Sequence, residues 1–191
     1  MKFLFAAFAL MLVCVGGPVA ADLVPDKAPR GEKYELPSWF KMSFLDLPDD
    51  LKEAAANRRQ LMLFFRLEDC PYCARLLREN FRAGPTKEFI ARHFDVIALD
   101  VRGSQTVNWF DGRQYPEKVL AERLKVYATP TIIFLDADGT IALQLSGFRN
   151  RETFRHELEY VQQRAYRRES LKSFIARQKR ESESSGRATH R

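Results

Sequence analysis

Leu61-Met-Leu-Phe-Phe-Arg-Leu-Glu-Asp-Cys70-Pro-Tyr-Cys73 is the stretch that decides the fold. Residues 61–67 are apolar but for Arg66, the pattern of a central strand covered on both faces. Two cysteines with two residues between them follow at once. Pro71 suits the first turn of a helix, where its missing amide hydrogen is not needed. The stretch therefore reads as a buried strand, a tight turn and a helix that opens on Cys70. There the sulfur meets free amides and the positive end of the macrodipole, which favour a thiolate. Cys73 lies one turn on, within reach of a reversible bridge. The expected chemistry is thiol–disulfide exchange, with Cys70 attacking and Cys73 resolving the mixed disulfide.

Other uses of a cysteine pair compete with this one. A structural staple across so short a loop gains little entropy. Zinc needs two more ligands, and His93, His156 and His190 have no ligand spacing. Covalent haem needs His directly after the second cysteine, where Ala74 stands. The staple, and a copper site built from both thiols and a distant His, stay open at this point. A second feature favours exchange: Thr129-Pro130 stands directly before an apolar strand, and a proline there marks a special turn.

Working outward, Pro48 opens a helix to about Arg59, Pro71 to Phe81 is helical, and Thr86 to His93 is a short helix. Val96 to Val101 is a strand, Arg102 to Pro116 a long loop with Trp109 and Phe110, and Glu117 to Lys125 a helix. The loop is long enough to bind something, or its aromatics cover the sheet edge. Thr131 to Leu135 and the alternating Ile141, Leu143 and Leu145 are strands joined by the Asp136-Ala-Asp-Gly139 turn. A helix from Arg151 has Phe154, Leu158, Val161 and Ala165 on one face. Strands joined through helices are expected to pair in parallel and the hairpin antiparallel. The expected class is α/β: a mixed four-stranded sheet in a β-α-β-α-β-β-α core, helices on both faces, and no internal repeat.

The ends differ from this core. Lys2, the apolar run Phe3 to Val15, Gly16-Gly17-Pro18 and Ala20-Ala21 read as a signal peptide over residues 1–21, with export to the periplasm. Cys14 raises a lipoprotein alternative, for which Val13 is a poor fit. Residues 22–45 form an extended N-terminal arm, 46–165 the domain, and 166–191 a basic helical extension and tail, disordered beyond Gln178. The formal charge of the 191-residue chain is +6, yet residues 166–191 hold eight Lys/Arg and three Glu, and 22–165 are neutral. No nucleic-acid partner is expected of such a body. Apolar residues at 46% exclude a wholly disordered chain, and the lack of any later apolar run of about 20 excludes a polytopic membrane protein.

Taken together, the apolar strand, Cys-Pro-Tyr-Cys, Thr129-Pro130-Thr131, the Asp-Gly hairpin and Gly147 resemble the thioredoxin superfamily from Arg59 to about Arg164. A closer resemblance is to exported SoxW-like thioredoxins. It rests on Asp69 to Cys73, Leu99-Asp-Val101, Asn108-Trp-Phe-Asp-Gly112, Leu120-Ala-Glu-Arg-Leu124 and Ala128 to Leu135. The resemblance implies a cis Thr129–Pro130 bond against the cysteines. It implies a substrate strand paired beside Thr129, with Tyr72, Thr129 and Pro130 as substrate-binding residues. It further implies protein thiol and disulfide substrates, a membrane electron donor of the DsbD or CcdA type, a monomer, and no cofactor beyond the Cys70–Cys73 disulfide itself.

Two departures bear on mechanism. Many thioredoxins carry a buried acid six residues before the first cysteine, where this chain has Phe64. Many have Trp directly before that cysteine; here Asp69 stands there. Glu68 and Asp69 oppose a Cys70 thiolate and Arg66 favours it, unless all three face solvent. A disulfide oxidant or isomerase, or a metal-binding module, would be the competing functions.

Overall fold

The computed structural model describes residues 31 and 33–188, with side chains as far as Ser182. The expected signal peptide at 1–21 and the start of the arm at 22–30 lie outside the described residues. Six helices and six strands follow one another: α1 Leu47–Ala56, β1 Gln60–Arg66, α2 Pro71–Asn80, α3 Pro85–His93, β2 Phe94–Asp100, β3 Thr106–Asn108, β4 Gln114–Pro116, α4 Glu117–Arg123, β5 Thr131–Leu135, β6 Ile141–Ser146, α5 Arg151–Gln162 and α6 Leu171–Ala188.

The main sheet has the order β2-β1-β5-β6. β1 and β2 are parallel from Gln60↔Phe94 to Arg66↔Asp100. β5 runs antiparallel to β1, not parallel as expected for strands joined through helices. The physical reason is the path of the connection: β2 finishes at the Arg66↔Asp100 end of the sheet and β5 starts at that same end, with Thr131 opposite Phe65, so the chain through β3, β4 and α4 does not cross back. β6 closes the sheet as the antiparallel hairpin partner of β5.

Alternation along β1 explains its continuous apolar run. Met62 and Phe64 enter one core layer, with α2, α5, Phe154 and Phe174. Leu61, Leu63 and Phe65 enter the other, with α1, α4, Leu120 and Val107. A strand buried on both faces has no polar face to show.

Two expectations on connecting segments are corrected. Residues 102–116 are not a bare loop: β3 and β4 pair antiparallel from Thr106↔Pro116 to Asn108↔Gln114. Trp109 and Phe110 at its tip pack against the second core layer. The C-terminal extension does not end its order at Gln178, because α6 continues to Ala188. Its Phe174 is fully buried and packs edge-on against Tyr160. The apolar stripe Leu171, Phe174, Ile175 thus docks the helix on α5 and offsets the low apolar content beyond it.

The described part of the arm, 33–45, packs on the body. Phe40 is a core residue, the Trp39 ring lies parallel to Phe81 at 6.2 Å, and Trp39 Nε1 donates to the Phe81 carbonyl at 3.0 Å. The Lys41 amide donates to Val96 O at 2.8 Å, giving the edge strand β2 a hydrogen bond on its open side. Among the described residues no helix is long and apolar enough to cross a membrane.

Candidate active site

β1 and α2 build the site between them. β1 ends at Arg66, Leu67 to Asp69 turn the chain, and Cys70 caps α2 in extended backbone with Pro71 next. Cys70 Sγ accepts a hydrogen bond from the Cys73 amide at 3.0 Å, so the sulfur takes the place of a capping oxygen. The two cysteines form a disulfide, with Cα atoms 5.2 Å apart. Cys73 has no exposed surface, while Cys70 keeps 4%. On α2, Cys73, Leu76 and Leu77 face the core, and this seats the second sulfur beneath the first.

The segment before β5 meets the pair from the other side. Thr129 Oγ1 donates to Cys70 Sγ at 3.3 Å. The Thr129–Pro130 peptide is cis and Pro130 is buried. Thr131 Oγ1 donates to Ala128 O at 2.7 Å, and the Gly147 amide donates to Pro130 O at 2.7 Å. Gly147 makes that approach with φ +85°, a left-handed backbone that favours glycine. The next loop is held in turn: Arg149 Nε donates to buried Glu157 at 2.9 Å, and its Nη1 donates to Ser146 O. Burial pushes the Glu157 carboxyl up, against the pull of Arg149.

Thr129 and Pro130 thus lie with Cys70 and Cys73, and Tyr72 stands beside them with 47% of its surface exposed. The charged neighbours divide. Glu68 and Asp69 are exposed, whereas Arg66 is half-buried and pairs with Asp100 at 3.5 Å. Phe64 is fully buried among Phe40 and Phe81, with ring centroids 6.0 and 5.9 Å away. An apolar ring therefore fills the position where many relatives keep an acid, so no carboxylate at that position serves Cys73.

Two residues escaped the sequence reading. Tyr34, from the arm, donates its hydroxyl to Leu67 O at 2.7 Å and so ties the arm to the turn before Cys70. Burial raises the Tyr34 hydroxyl above its ordinary range, and Arg66 opposes that shift. The arm's contact with this turn carries no periodic signal. The other is Tyr127, two residues before Thr129, with 85% of its surface exposed. A loop aromatic next to a Thr-Pro turn was the available sign. Among the described residues no cluster of three or more His, Cys, Asp or Glu has a metal-holding arrangement.

A cysteine pair at the head of α2, facing a cis X-Pro turn across a β2-β1-β5-β6 sheet, defines the class as the thioredoxin fold. The Thioredoxin-like domain family matches residues 47–162, and the chain belongs to it. A thioredoxin-fold protein from Helicobacter pylori is similar at 21% identity and TM-score 0.55, over 65% of this chain and 86% of that one. A thioredoxin from Thermus thermophilus has 28% identity and TM-score 0.48, over 61% and 83%. The C-terminal domain of DsbD from Neisseria meningitidis, in its reduced form, has 16% identity and TM-score 0.43, over 59% and 88%. No curated protein matches the chain.

Proposed function

We propose that this chain is an exported thiol–disulfide oxidoreductase that reduces protein disulfides through Cys70 and Cys73. The observation that carries the reading is the asymmetry of the pair. Cys70 caps the helix, accepts from the Cys73 amide and the Thr129 hydroxyl, and keeps some exposure; Cys73 is sealed beneath it. Both donors, and the helix N-terminus, favour a thiolate at Cys70 once the bridge is open.

The cycle follows from that geometry. The Cys70 thiolate attacks one sulfur of a substrate disulfide, forms a mixed disulfide and releases the other substrate sulfur as a thiolate. Cys73 loses its proton to water and attacks Cys70 Sγ. The Cys70–Cys73 bond re-forms, and the second substrate thiol leaves. The substrate gains two electrons and the pair loses two, so each turnover needs a dithiol donor. A membrane carrier of the DsbD or CcdA type supplies it in this reading, in the periplasm, and the chain acts as a monomer of the SoxW-like kind. Tyr72, Thr129 and Pro130 line the path of an extended substrate segment, which pairs with backbone beside Thr129. The exposed acids Glu68 and Asp69 favour a reductant, since an oxidant needs a strongly stabilised thiolate.

Two measurements test this. Cys73→Ser accumulates mixed disulfides through Cys70, while Cys70→Ser accumulates none and loses all reduction. The reduction potential falls at about −180 to −280 mV. Trapping through Cys73 with Cys70 silent would reverse the roles, and a value near about −120 mV would make the protein an oxidant.

A further inference from the structure

The chain has six tyrosines, and the fold treats them in two ways. Tyr34, Tyr115 and Tyr160 each donate a hydroxyl hydrogen bond, at 2.7, 2.6 and 2.7 Å. Tyr166 packs against the core beside Tyr160. Tyr72 and Tyr127 do neither. Among the described residues neither hydroxyl has a hydrogen bond and neither ring stacks on another. Their exposures are 47% and 85%, and no other tyrosine is a large exposed apolar residue.

Both open rings belong to the disulfide. Tyr72 sits between Cys70 and Cys73 in sequence, at the first turn of α2. Tyr127 is two residues before Thr129, whose hydroxyl touches Cys70 Sγ. Two residues span at most about 7 Å, so Tyr127 is tethered to the rim of the site. The two residues flank it from different elements, one on the helix and one in the turn before β5. Exposed aromatic surface costs solvation and does nothing for this fold. Rigid rings with few rotatable bonds are what interfaces use as anchors. The charged rim adds a sign: exposed Glu68 and Asp69 repel an acidic flank near Cys70.

We propose that Tyr127, with Tyr72, selects substrate disulfides whose cysteine is flanked by an apolar side chain, by packing on that side chain as the sulfur comes to Cys70. The occupant is an extended segment of a disulfide-bonded protein with an aromatic or aliphatic residue next to the target cysteine. This rests on the exchange reading above and names the substrate class within it. Tyr127 is a specificity-determining residue, with no part in electron transfer.

Three synthetic disulfide-linked peptides test it. They are identical but for Phe, Gly or Asp before the cysteine, and are reduced by the full protein with dithiothreitol as the donor. The unsubstituted protein prefers the Phe peptide to the Gly peptide by about tenfold in kcat/KM, carried mainly by KM. The Asp peptide is slowest. Tyr127→Ala brings the Phe:Gly ratio to within about threefold, and Tyr127→Phe keeps it, since the ring and not the hydroxyl makes the contact. The thermal midpoint of Tyr127→Ala stays at the parental value. Equal rates on the Phe and Gly peptides, or a Tyr127→Ala variant with the full preference, would overturn the proposal and leave the exchange reading standing. A fall in the midpoint would overturn it too, by giving Tyr127 a packing role. A protein that reduces none of the three peptides overturns both.

Discussion

The tip between β3 and β4 and the turn before β5 each carry aromatic residues outside the regular elements. At the first, Trp109 and Phe110 turn inward. Both are half-buried, meet edge-on at 5.0 Å between centroids, and pack on the second core layer. Phe110 also lies under the β5–β6 turn, where a Cβ on Gly139 would collide with its ring. At the second, Tyr127 turns outward, with 85% of its surface exposed. The difference is one of need. The layer under α1 and α4 is open on its flank until the β3–β4 hairpin covers it, so its aromatics serve burial. The turn before β5 is already pinned by Thr131, Gly147 and the cysteine pair, so its aromatic is free for another surface. A loop aromatic therefore says little until one knows whether the core beneath it is otherwise closed.

The largest effect that tests this contrast is at Phe110. Phe110→Ala removes a half-buried ring and opens space under Gly139. Full burial makes Phe→Ala cost about 3–5 kcal/mol, and partial burial here sets the loss at about 2 kcal/mol. Denaturant unfolding measures it, with disulfide reduction per folded molecule followed in parallel. Stability falls and turnover stays at the parental rate. Unchanged stability with lost turnover would put Phe110 in the substrate surface and erase the contrast.

The cysteine site was legible in the sequence because it is local. Strand, turn, cap and helix occupy consecutive residues, and each signal acts within one turn: the apolar run, Pro71 and the cysteine spacing. Thr129-Pro130 was legible as a special turn, although its contact with Cys70 spans 59 residues and came from resemblance. The direction of β5 was not legible, since it depends on the end of the sheet at which the connection after β2 delivers the chain. The β3–β4 hairpin escaped because each strand has three residues and only Val107 and Tyr115 are buried, too few to show a period. The reach of α6 escaped because the residues beyond Gln178 are polar; the helix is held by Phe174, upstream of them. Tyr34 and Tyr127 escaped for opposite reasons. One is bound by a contact across 33 residues, and the other by none.

A smaller effect is expected at Thr129, on the functional side of the contrast. Its hydroxyl donates to Cys70 Sγ, and the donor matters most when that sulfur carries charge. Thr129→Ala removes the donor, raises the Cys70 thiol pKa in the reduced protein and slows attack at neutral pH by about tenfold. The side chain is half-buried at the surface, so the unfolding midpoint moves little. The pH dependence of thiol alkylation reads the pKa directly, and Thr129→Ser restores it. An alkylation profile that does not move would remove Thr129 from thiolate stabilisation and leave it a spacer before Pro130.

The smallest effect lies in the turn that Phe110 supports, and it makes the stability side of the contrast visible in pH. Asp136 closes the β5 end of that turn. Its carboxylate accepts from Arg167 Nη2 at 2.7 and 2.8 Å and from the Ala137 amide at 2.7 Å. Burial alone would raise this carboxyl, but Arg167 and the Ala137 amide outweigh it and hold Asp136 below its ordinary value. Beside it, burial and the Asp136 charge push Tyr166 up to about 12, so that ring stays neutral across the working range. Between the lowered folded pKa and the unfolded value of about 3.9, the unfolded chain binds more protons than the native one. Stability from Asp136 is therefore complete above about pH 4 and is lost as pH falls through the folded pKa. Asp136→Asn removes that contribution at every pH. The stability gap between parent and variant is widest near neutrality, narrows in acid, and shrinks with added salt because Arg167 is half exposed. Disulfide reduction at neutral pH does not change, since the turn contributes no group to Cys70. Urea unfolding of both proteins from acid to neutral pH is the measurement. A gap that stays constant with pH would assign the Asp136–Arg167 clasp to packing instead of charge, and a change in reduction rate would join the two regions that the fold keeps apart.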